Sequence, residues 1–251
     1  MSKVVSFHSF ARGAGRSTLV ANLAYVLAAA GRRVGAVDVD FYAPSLHTLF
    51  GLREGEITTT LNDYLSGKCT LEQTAYDVGP ALGLQPPGRL LVMPSSTSVA
   101  EIMNLLKYPY DLDALNGLLG QLDETFNLDY LLLDTTAGLT QESMLEMAIS
   151  DVVVVLLRPD PPDFQGTAVS VEVARKLQVP DLVLVLNFSV SGLDTSQAAQ
   201  ELTDCFDCPV GAVLPDSEEL LSLASTRLIA AAQPDSEYSL RLRQLAAQLL
   251  E

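Results

Sequence analysis

Short, continuous runs of apolar residues alternate with longer amphipathic stretches along almost the whole chain. Unbroken apolar character at strand length is typical of parallel strands that are covered by helices on both faces. Seven runs are predicted as strands, at 4–7, 33–38, 90–93, 130–134, 151–157, 182–186 and 210–213. Helices are predicted at 17–30, 100–106, 111–126, 141–148, 164–177 and 196–205. This rhythm predicts a three-layer α/β protein with a mostly parallel central sheet.

The pattern is not interrupted by a linker rich in proline, glycine or serine, and 251 residues fit one large domain. We therefore expect a single domain over 1–251. The segment 51–87 is the least regular part, and short helices are predicted there at 61–66 and 71–76. No run approaches the ~18 apolar residues of a membrane span. The three cysteines form a sparse, odd-numbered set that suits a reducing compartment, so we expect a cytoplasmic protein.

The charge of the chain restricts its partners. It has 15 lysines and arginines against 31 aspartates and glutamates, which gives a net charge of −16. An acidic surface repels nucleic-acid backbones, so direct nucleic-acid binding is disfavoured. The segment 239–251 is predicted as an amphipathic helix whose basic residues are Arg241 and Arg243 alone. Packing on the sheet is therefore favoured over contact with a membrane surface.

The turn after the first predicted strand, residues 10–18, contains glycines, a cation and hydroxyl groups in an order that suits a phosphate group. Glycines let successive backbone N–H groups curl around an anion, while Arg16 supplies a cation and Ser17 a hydroxyl for Mg²⁺. Two other interpretations stay open. In one, Ser17 only caps the following helix. In the other, the turn binds a dinucleotide and Asp38 binds its ribose, although the third glycine of that motif is absent.

Carboxylates at the ends of two other predicted strands bear on this choice. Asp38 and Asp40 follow the second strand, and Asp134 ends the fourth. Each alone could be a solvated strand end or a helix cap. An aspartate at the tip of a buried strand beside a phosphate loop can instead hold Mg²⁺, which a dinucleotide-dependent oxidoreductase does not need. Their joint placement favours a nucleoside triphosphate.

Taken together, the segments 12–18, 37–40 and 133–139 with Asn187 resemble the deviant Walker A ATPases of the ParA/MinD group, in the same order and over nearly the whole chain. The resemblance implies a P-loop NTPase fold with ATP and Mg²⁺ as cofactors. It implies that the phosphates are surrounded by Arg12, Gly13, Ala14, Gly15, Arg16, Ser17 and Thr18, and that the adenine is contacted by Asn187, Pro215 and Asp216.

The same resemblance implies roles for the carboxylates and for a second copy of the chain. Asp134 would be the Walker B acid and would hold the metal together with Ser17 and Asp40. Asp40 would position or activate the attacking water near the metal, and Arg16 would act on the transferred phosphate. Proteins of this group form nucleotide-sandwich homodimers that position division machinery, plasmids or other cargo through protein partners or adaptors.

Several positions depart from the family pattern K-G-G-x-G-K-[ST]. Its first lysine falls on Ala11, its first glycine on Arg12 and its second lysine on Arg16. Arginine and lysine are not interchangeable at such sites, because the guanidinium is longer and planar. Thr136 stands where the family usually has proline, and Phe188 where it has lysine. The departures leave ATP binding better supported than efficient hydrolysis, since losing a transition-state cation can cost roughly 10³-fold in rate.

Three alternatives follow from these departures. A catalytically inactive family member would act as an adaptor or scaffold, and a dinucleotide-dependent oxidoreductase would use the other interpretation of the loop. A group-transfer enzyme or ligase would need a substrate pocket, for which 51–87 is the candidate segment. Cys205 and Cys208 form a C-x-x-C pair without partners, which favours incidental cysteines over a redox pair or half of a shared metal site.

Overall fold

A computed structural model describes residues 1–107 and 112–250. In this part of the chain the strands form one eight-stranded sheet in the order β3-β4-β2-β5-β1-β6-β7-β8, and every neighbouring pair is parallel except β3 and β4. The strands are β1 (Lys3–His8), β2 (Arg33–Asp38), β3 (Tyr76–Asp77), β4 (Arg89–Met93), β5 (Tyr130–Asp134), β6 (Val152–Leu157), β7 (Asp181–Ser189) and β8 (Val210–Pro215). The predicted α/β class with a mostly parallel sheet is confirmed.

The longer helices fall where the amphipathic stretches predict them, apart from residue 111, which lies outside the described residues. The helices are α1 (Arg16–Ala29), α2 (Leu46–Leu49), α3 (Leu61–Leu65), α4 (Val99–Lys107), α5 (Leu112–Phe126), α6 (Gln141–Ala148), α7 (Pro161–Lys176), α8 (Thr195–Phe206), α9 (Glu218–Ser222), α10 (Ile229–Ala232) and α11 (Glu237–Leu250). The predicted helix at 71–76 is wrong, because a 3-10 turn at Leu71–Thr74 leads directly into β3.

Side chains of each strand alternate between two apolar layers. In β6, Val152, Val154 and Leu156 pack with α1 and α11 on one face, whereas Val153, Val155 and Leu157 pack with α7 and α8 on the other. Burial on both faces explains why these strands are continuously apolar in sequence. The apolar side of α11 is buried in the first of these layers, as the sequence predicts. Among the described residues no helix is both long enough and apolar enough to cross a membrane.

The register of the central strands brings three loops to one edge of the sheet. Asp134 at the end of β5 lies opposite Phe7 of β1 on one side and opposite Asp38 of β2 on the other. Because these strands are parallel, the loops that follow β1, β2 and β5 all leave from the same edge. Open α/β sheets bind ligands at the carboxyl ends of their strands, so this edge is where a site is expected.

Candidate functional site

The loop between β1 and α1 is held open by two glycines in left-handed conformations. Gly13 has φ 80° and Gly15, immediately before α1, has φ 89°. A Cβ atom on Gly15 would collide with the side-chain amide of Asn187, which donates a hydrogen bond of 2.9 Å to the carbonyl oxygen of Ala14. Glycine is therefore required at position 15 for its conformation and for this close approach.

The loop and the start of α1 border an open cavity of about 360 Å³, a size that suits a small-molecule ligand. The backbone N–H groups in the first turn of a helix have no partners inside that helix, and the helix dipole adds partial positive charge there. No side chain caps the start of α1, so the interpretation of Ser17 as a helix cap is not supported. The cavity is lined by Gly13, Ala14, Gly15, Arg16, Ser17, Thr18, Pro44, Ser45, Thr48, Leu49 and Ser225. This arrangement is suited to an anion such as phosphate.

The side chain of Arg16 extends towards the ends of the strands at the edge of the sheet. Its Nη1 donates to the Ser9 hydroxyl at 2.8 Å, and its Nη2 lies 3.4 Å from Oδ2 of Asp40. Its Nε lies 3.9 Å from Oδ1 of Asp134, too far for a hydrogen bond. The guanidinium is only 9% exposed. Arg16 is therefore a buried cation shared loosely between two carboxylates.

Asp134 is almost fully buried, and neither of its carboxylate oxygens has a hydrogen-bond partner within the described ranges. Burial raises the pKa of Asp134 to about 6, and the nearby Arg16 guanidinium and Ser17 hydroxyl lower it only in part. A buried charge without hydrogen bonds is costly. Such unpaired oxygens are a candidate ligand position, because a cation bound there would remove this cost.

Asp38 and Asp40 have different surroundings although both follow β2. Asp38 is buried and accepts hydrogen bonds from the backbone of Ser45 and Leu46 at 2.8 and 3.0 Å, which fixes the start of α2. Burial, followed by the charge of Asp134, raises the pKa of Asp38 well above its usual value. Asp40 faces Arg16 and accepts a hydrogen bond of 3.4 Å from the Thr136 hydroxyl. Asp38 thus positions a helix, and Asp40 lies among the charged groups of the site.

Three side chains of this site were not predicted from the sequence. Ser9 and Thr136 contact Arg16 and Asp40, respectively. Glu146 of α6 is buried, and its two carboxylate oxygens have no partner in the part of the chain that the structure describes. Burial, followed by repulsion from Asp40, raises the pKa of Glu146 well above its usual value. The only sequence signal was that Glu146 lies one residue before the buried Met147, on the inward side of a short helix.

His8 at the end of β1 is a neutral structural residue. It is buried, and its Nε2 lies 3.0 Å from the Ser170 hydroxyl of α7. Burial and the charge of Arg16 lower its pKa to about 3. A histidine that stays neutral at physiological pH can support the loop from below without adding charge to the site.

The remaining predicted site residues do not all meet at the cavity. Arg12 is exposed, and no hydrogen bond or ion pair is found for its side chain among the described residues. Asn187 is buried behind the loop and is engaged by the Ala14 carbonyl and by the amide of Phe188. Pro215 and Asp216 line a neighbouring cavity of about 250 Å³ together with the loop that follows β7. Their contact with an adenine stays a prediction.

The residues present fit a magnesium ion that is brought in with a nucleotide. No group of three or more His, Cys, Asp or Glu side chains is arranged to hold a metal on its own within the described residues. Mg²⁺ in nucleotide sites is commonly bound by one or two carboxylates together with phosphate oxygens and water. The unpartnered oxygens of Asp134 and the Ser17 hydroxyl beside it meet that requirement.

Cys205 and Cys208 are not presented as a pair of metal ligands. Cys205 is exposed at the end of α8, whereas Cys208 is buried, and its thiol donates to the Leu182 carbonyl oxygen. Burial raises the pKa of Cys208 to about 11, which disfavours the thiolate that metals and disulfide exchange require.

The fold and this loop define a P-loop NTPase of the α/β class. A family model described as ParA, NUBPL iron-transfer P-loop NTPase, matches residues 1–237. The chain therefore belongs to the ParA family of P-loop NTPases, whose members are ATPases that use ATP with Mg²⁺.

Individual relatives agree with this assignment. An ATP-binding protein of Methanocaldococcus jannaschii is 25% identical over 254 residues, which span 100% of this chain and 88% of that protein. The septum site-determining protein MinD of Pyrococcus horikoshii, solved in complex with Mg-ADP, superposes with a TM-score of 0.81 at 22% identity over 99% of this chain and 96% of that one. The MinC:MinD cell division protein complex of Aquifex aeolicus superposes with the same TM-score at 18% identity over 99% of this chain and 96% of that one.

Proposed function

We propose that this protein binds ATP with Mg²⁺ at the β1–α1 loop and works as a nucleotide-dependent dimerising switch. The observation that carries the proposal is the convergence of an anion-binding helix start with an unpartnered, buried Asp134 on the adjacent strand. The two features face the same edge of the sheet and are complementary to the two parts of a metal–triphosphate complex. A dinucleotide would use the first feature and leave the second without a role.

Each group of the site then has a definite task. The free N–H groups at the start of α1 would bind phosphate oxygens, and the Ser17 hydroxyl and Asp134 would hold the metal. A magnesium ion held there would neutralise part of the phosphate charge. Asp40, fixed by Thr136, would orient the attacking water and accept its proton. Arg16 would have to turn from the carboxylates to the phosphates before it could stabilise charge on the transferred group.

The proposed output is a change in self-association that protein partners detect. A ligand shifts an equilibrium between monomer and dimer only if it binds the two states with different affinity. The exposed Arg12, unpaired in the described structure, is the residue of the loop best placed to contact a second copy. The MinD structure solved with MinC offers a precedent for a partner protein of such a switch. We infer a role in intracellular positioning or partitioning. The cargo or its adaptor would bind the dimeric form of the protein.

A catalytically inactive adaptor is the second candidate, and the contacts of Arg16 favour it. The cation expected at the phosphates lies instead against Asp40 and Asp134, and Ala11 supplies no cation at the position of the family's first lysine. A protein of this kind would bind nucleotide without turning it over at a useful rate. It would act through the partners it holds.

Iron–sulfur cluster transfer is a third candidate, since the matching family model is described as an iron-transfer NTPase. The cysteines do not favour it. Only Cys205 of the C-x-x-C pair is exposed, and burial raises the pKa of Cys208. Within the ranges 1–107 and 112–250 we find no set of ligands arranged for such a cluster.

Calorimetric titration with Mg-ATP and with a non-hydrolysable analogue, combined with light scattering, tests the proposal. The switch predicts saturable binding of both ligands and a doubling of mass with the analogue. The adaptor predicts binding without phosphate release. The absence of binding at millimolar nucleotide would overturn both the switch and the adaptor. Gly15→Ala serves as the control, because it distorts the loop without changing a charge.

A further inference from the structure

The contacts of Arg16 place one cation on both of the carboxylates nearest the phosphate loop. The guanidinium lies 3.4 Å from Asp40 and 3.9 Å from Asp134, and it is anchored by the Ser9 hydroxyl at 2.8 Å. All three charged side chains are at most 9% exposed. A buried carboxylate pair without any cation would be strongly disfavoured. Arg16 is therefore the counter-ion of both carboxylates at this edge of the sheet.

The guanidinium lies near Asp134 without forming a hydrogen bond to either of its carboxylate oxygens. Nε of Arg16 and both oxygens of Asp134 have no hydrogen-bond partner in the described residues. A structural ion pair usually closes with short, bidentate hydrogen bonds. Here the distances to the carboxylates are long, and the Asp134 oxygens remain without donors. The attraction that keeps Arg16 in place is therefore mainly electrostatic, and another anion could replace the carboxylates.

Arginine is suited to this position in a way that lysine is not. Its planar fork carries five donors, and three of its nitrogens face Ser9, Asp40 and Asp134 at once. An ε-ammonium group on a shorter reach is a single point of charge and could stay close to only one of the carboxylates. The substitution of arginine for the family's lysine therefore lets one side chain cover both acids.

We propose that Arg16 is an autoinhibitory counter-ion that occupies the metal-binding side of the site until nucleotide phosphates draw it away. The inference rests on the proposed function, because the competing ligand for Arg16 is the phosphate of the nucleotide. One movement of one side chain would expose Asp134 and deliver a cation to the phosphates. Metal binding and phosphate binding would thus be coupled through Arg16, and the metal alone would be excluded.

The test measures metal binding in the absence of nucleotide, with Mn²⁺ as the probe and its electron paramagnetic resonance signal as the readout. The full chain is compared with Arg16→Met, Arg16→Lys and Arg243→Met, the last being a matched change of an exposed arginine on α11, outside the site. We expect Arg16→Met to bind Mn²⁺ at least about tenfold more tightly than the unchanged protein, because a positive charge about 4 Å from Asp134 has been removed. Arg16→Lys should lie between them, and Arg243→Met should match the unchanged protein.

Two further variants make the result decisive. Adding Asp134→Asn to Arg16→Met should abolish the gain, which assigns it to this carboxylate and not to the acidic surface. Equal Mn²⁺ affinity of Arg16→Met and the unchanged protein overturns the proposal. If Arg16→Met does not fold, Arg16→Lys decides, and an affinity equal to that of the unchanged protein overturns it. These outcomes are independent of ATP binding, whose absence would instead count against the proposed function.

Discussion

Two arginine–aspartate contacts lie at opposite edges of the same sheet and differ in their hydrogen bonding and in their burial. At the edge where the strands begin, Arg33 forms hydrogen bonds of 2.7 and 3.2 Å with the two oxygens of Asp129, and its backbone N–H donates to the same carboxylate at 2.7 Å. At the edge where they end, Arg16 lies 3.9 Å from Asp134, whose oxygens are unpartnered in the described residues. The Arg33–Asp129 contact is about one-third exposed and closed, in the sense that its carboxylate is hydrogen-bonded. The Arg16–Asp134 contact is buried and open, in the sense that its carboxylate oxygens lack hydrogen bonds in the described residues.

This difference in hydrogen bonding and burial indicates that Arg33–Asp129 is a structural ion pair, whereas Arg16–Asp134 is a candidate ligand site. Bonding to Arg33 lowers the pKa of Asp129, so that this carboxylate is stable as an anion in the folded protein. Burial raises the pKa of Asp134 to about 6, so that its charge is a cost until a cation arrives. An unsatisfied buried acid adds no stability to the fold and calls for an explanation such as a bound ion. The open contact is therefore where ligand binding can yield the most free energy.

The largest effect is expected from a substitution that distorts the β1–α1 loop, next to the Arg16–Asp134 contact. Gly15→Ala introduces a Cβ that collides with the Asn187 amide at a φ of 89°, so we expect a loss of about 3 kcal/mol in the free energy of unfolding. ATP binding should fall by more than ~100-fold, since the loop can no longer surround phosphate. Gly13→Ala is the matched control, because φ is 80° there but no atom lies within 4 Å of the new Cβ. It should cost about 1 kcal/mol. Equal losses in chemical denaturation would show that the Asn187 contact is unimportant.

The pH dependence of stability should have opposite sign at the two contacts. The unfolded chain releases the Asp134 proton near pH 3.8 and the folded protein near pH 6, so the folded protein holds more protons between these values. The contribution of Asp134 to stability therefore falls as pH rises from about 4 to 6, by about 3 kcal/mol at most. The pKa of Asp129 is lowered, so its contribution is present at neutral pH and is lost on acidification.

Urea denaturation of the unchanged protein, Asp134→Asn and Asp129→Asn between pH 2 and pH 7 checks these signs. Relative to the unchanged protein, Asp134→Asn should gain stability as pH rises from about 4 to 6. Asp129→Asn should lose stability, relative to the unchanged protein, as pH rises through the range below about 4, because the pKa of Asp129 is lowered. Parallel curves for the two variants would contradict the distinction between an open and a closed contact.

Mg²⁺-dependent nucleotide affinity should depend on the open contact alone. Asp134→Asn removes the anion but keeps the shape of the side chain, so Mg-ATP should bind about tenfold or more weakly, while ATP with excess chelator should be affected less. Asp129→Asn should change neither affinity. A similar loss in both variants, measured by calorimetry, would assign the effect to the fold and not to the metal.

The smallest effect is expected at the closed contact. Arg33 and Asp129 are about one-third exposed, and solvent weakens such pairs. Asp129→Asn should therefore destabilise the protein by only about 0.5–1 kcal/mol at neutral pH. A loss above about 2 kcal/mol would mean that the backbone hydrogen bond to Arg33 contributes more than the ion pair.

Patterns within a single segment of the sequence were sufficient to predict the parts of the fold that depend on that segment alone. The apolar runs predicted the central strands. Gly13 and Gly15 predicted the loop, because closely spaced glycines between a strand and a helix indicate a turn. Asp134 was found because it directly ends a buried run. β3 was missed, since two residues have no measurable periodicity and its pairing with β4 is a tertiary contact.

The details of the site depend on contacts between distant segments, which periodicity does not reveal. A glutamate in a short helix is expected to face solvent, yet Glu146 is buried beside the strand ends. The sequence suggested Arg16 as a phosphate ligand but not its contacts with Ser9, Asp40 and Asp134, which arise when three loops meet. The contact of Asn187 with an adenine stays a prediction, and the sequence did not reveal that its amide donates a hydrogen bond to the Ala14 carbonyl oxygen next to Gly15.

The most direct test of the central claim is a crystal structure of the protein with Mg²⁺ and a non-hydrolysable ATP analogue. The account predicts phosphates at the start of α1, a metal ion held by Ser17 and Asp134, and the Arg16 guanidinium moved from Asp134 to the phosphates. Nucleotide bound at another place, or phosphates in this cavity with Arg16 still against Asp40 and Asp134 and no metal beside them, would contradict it.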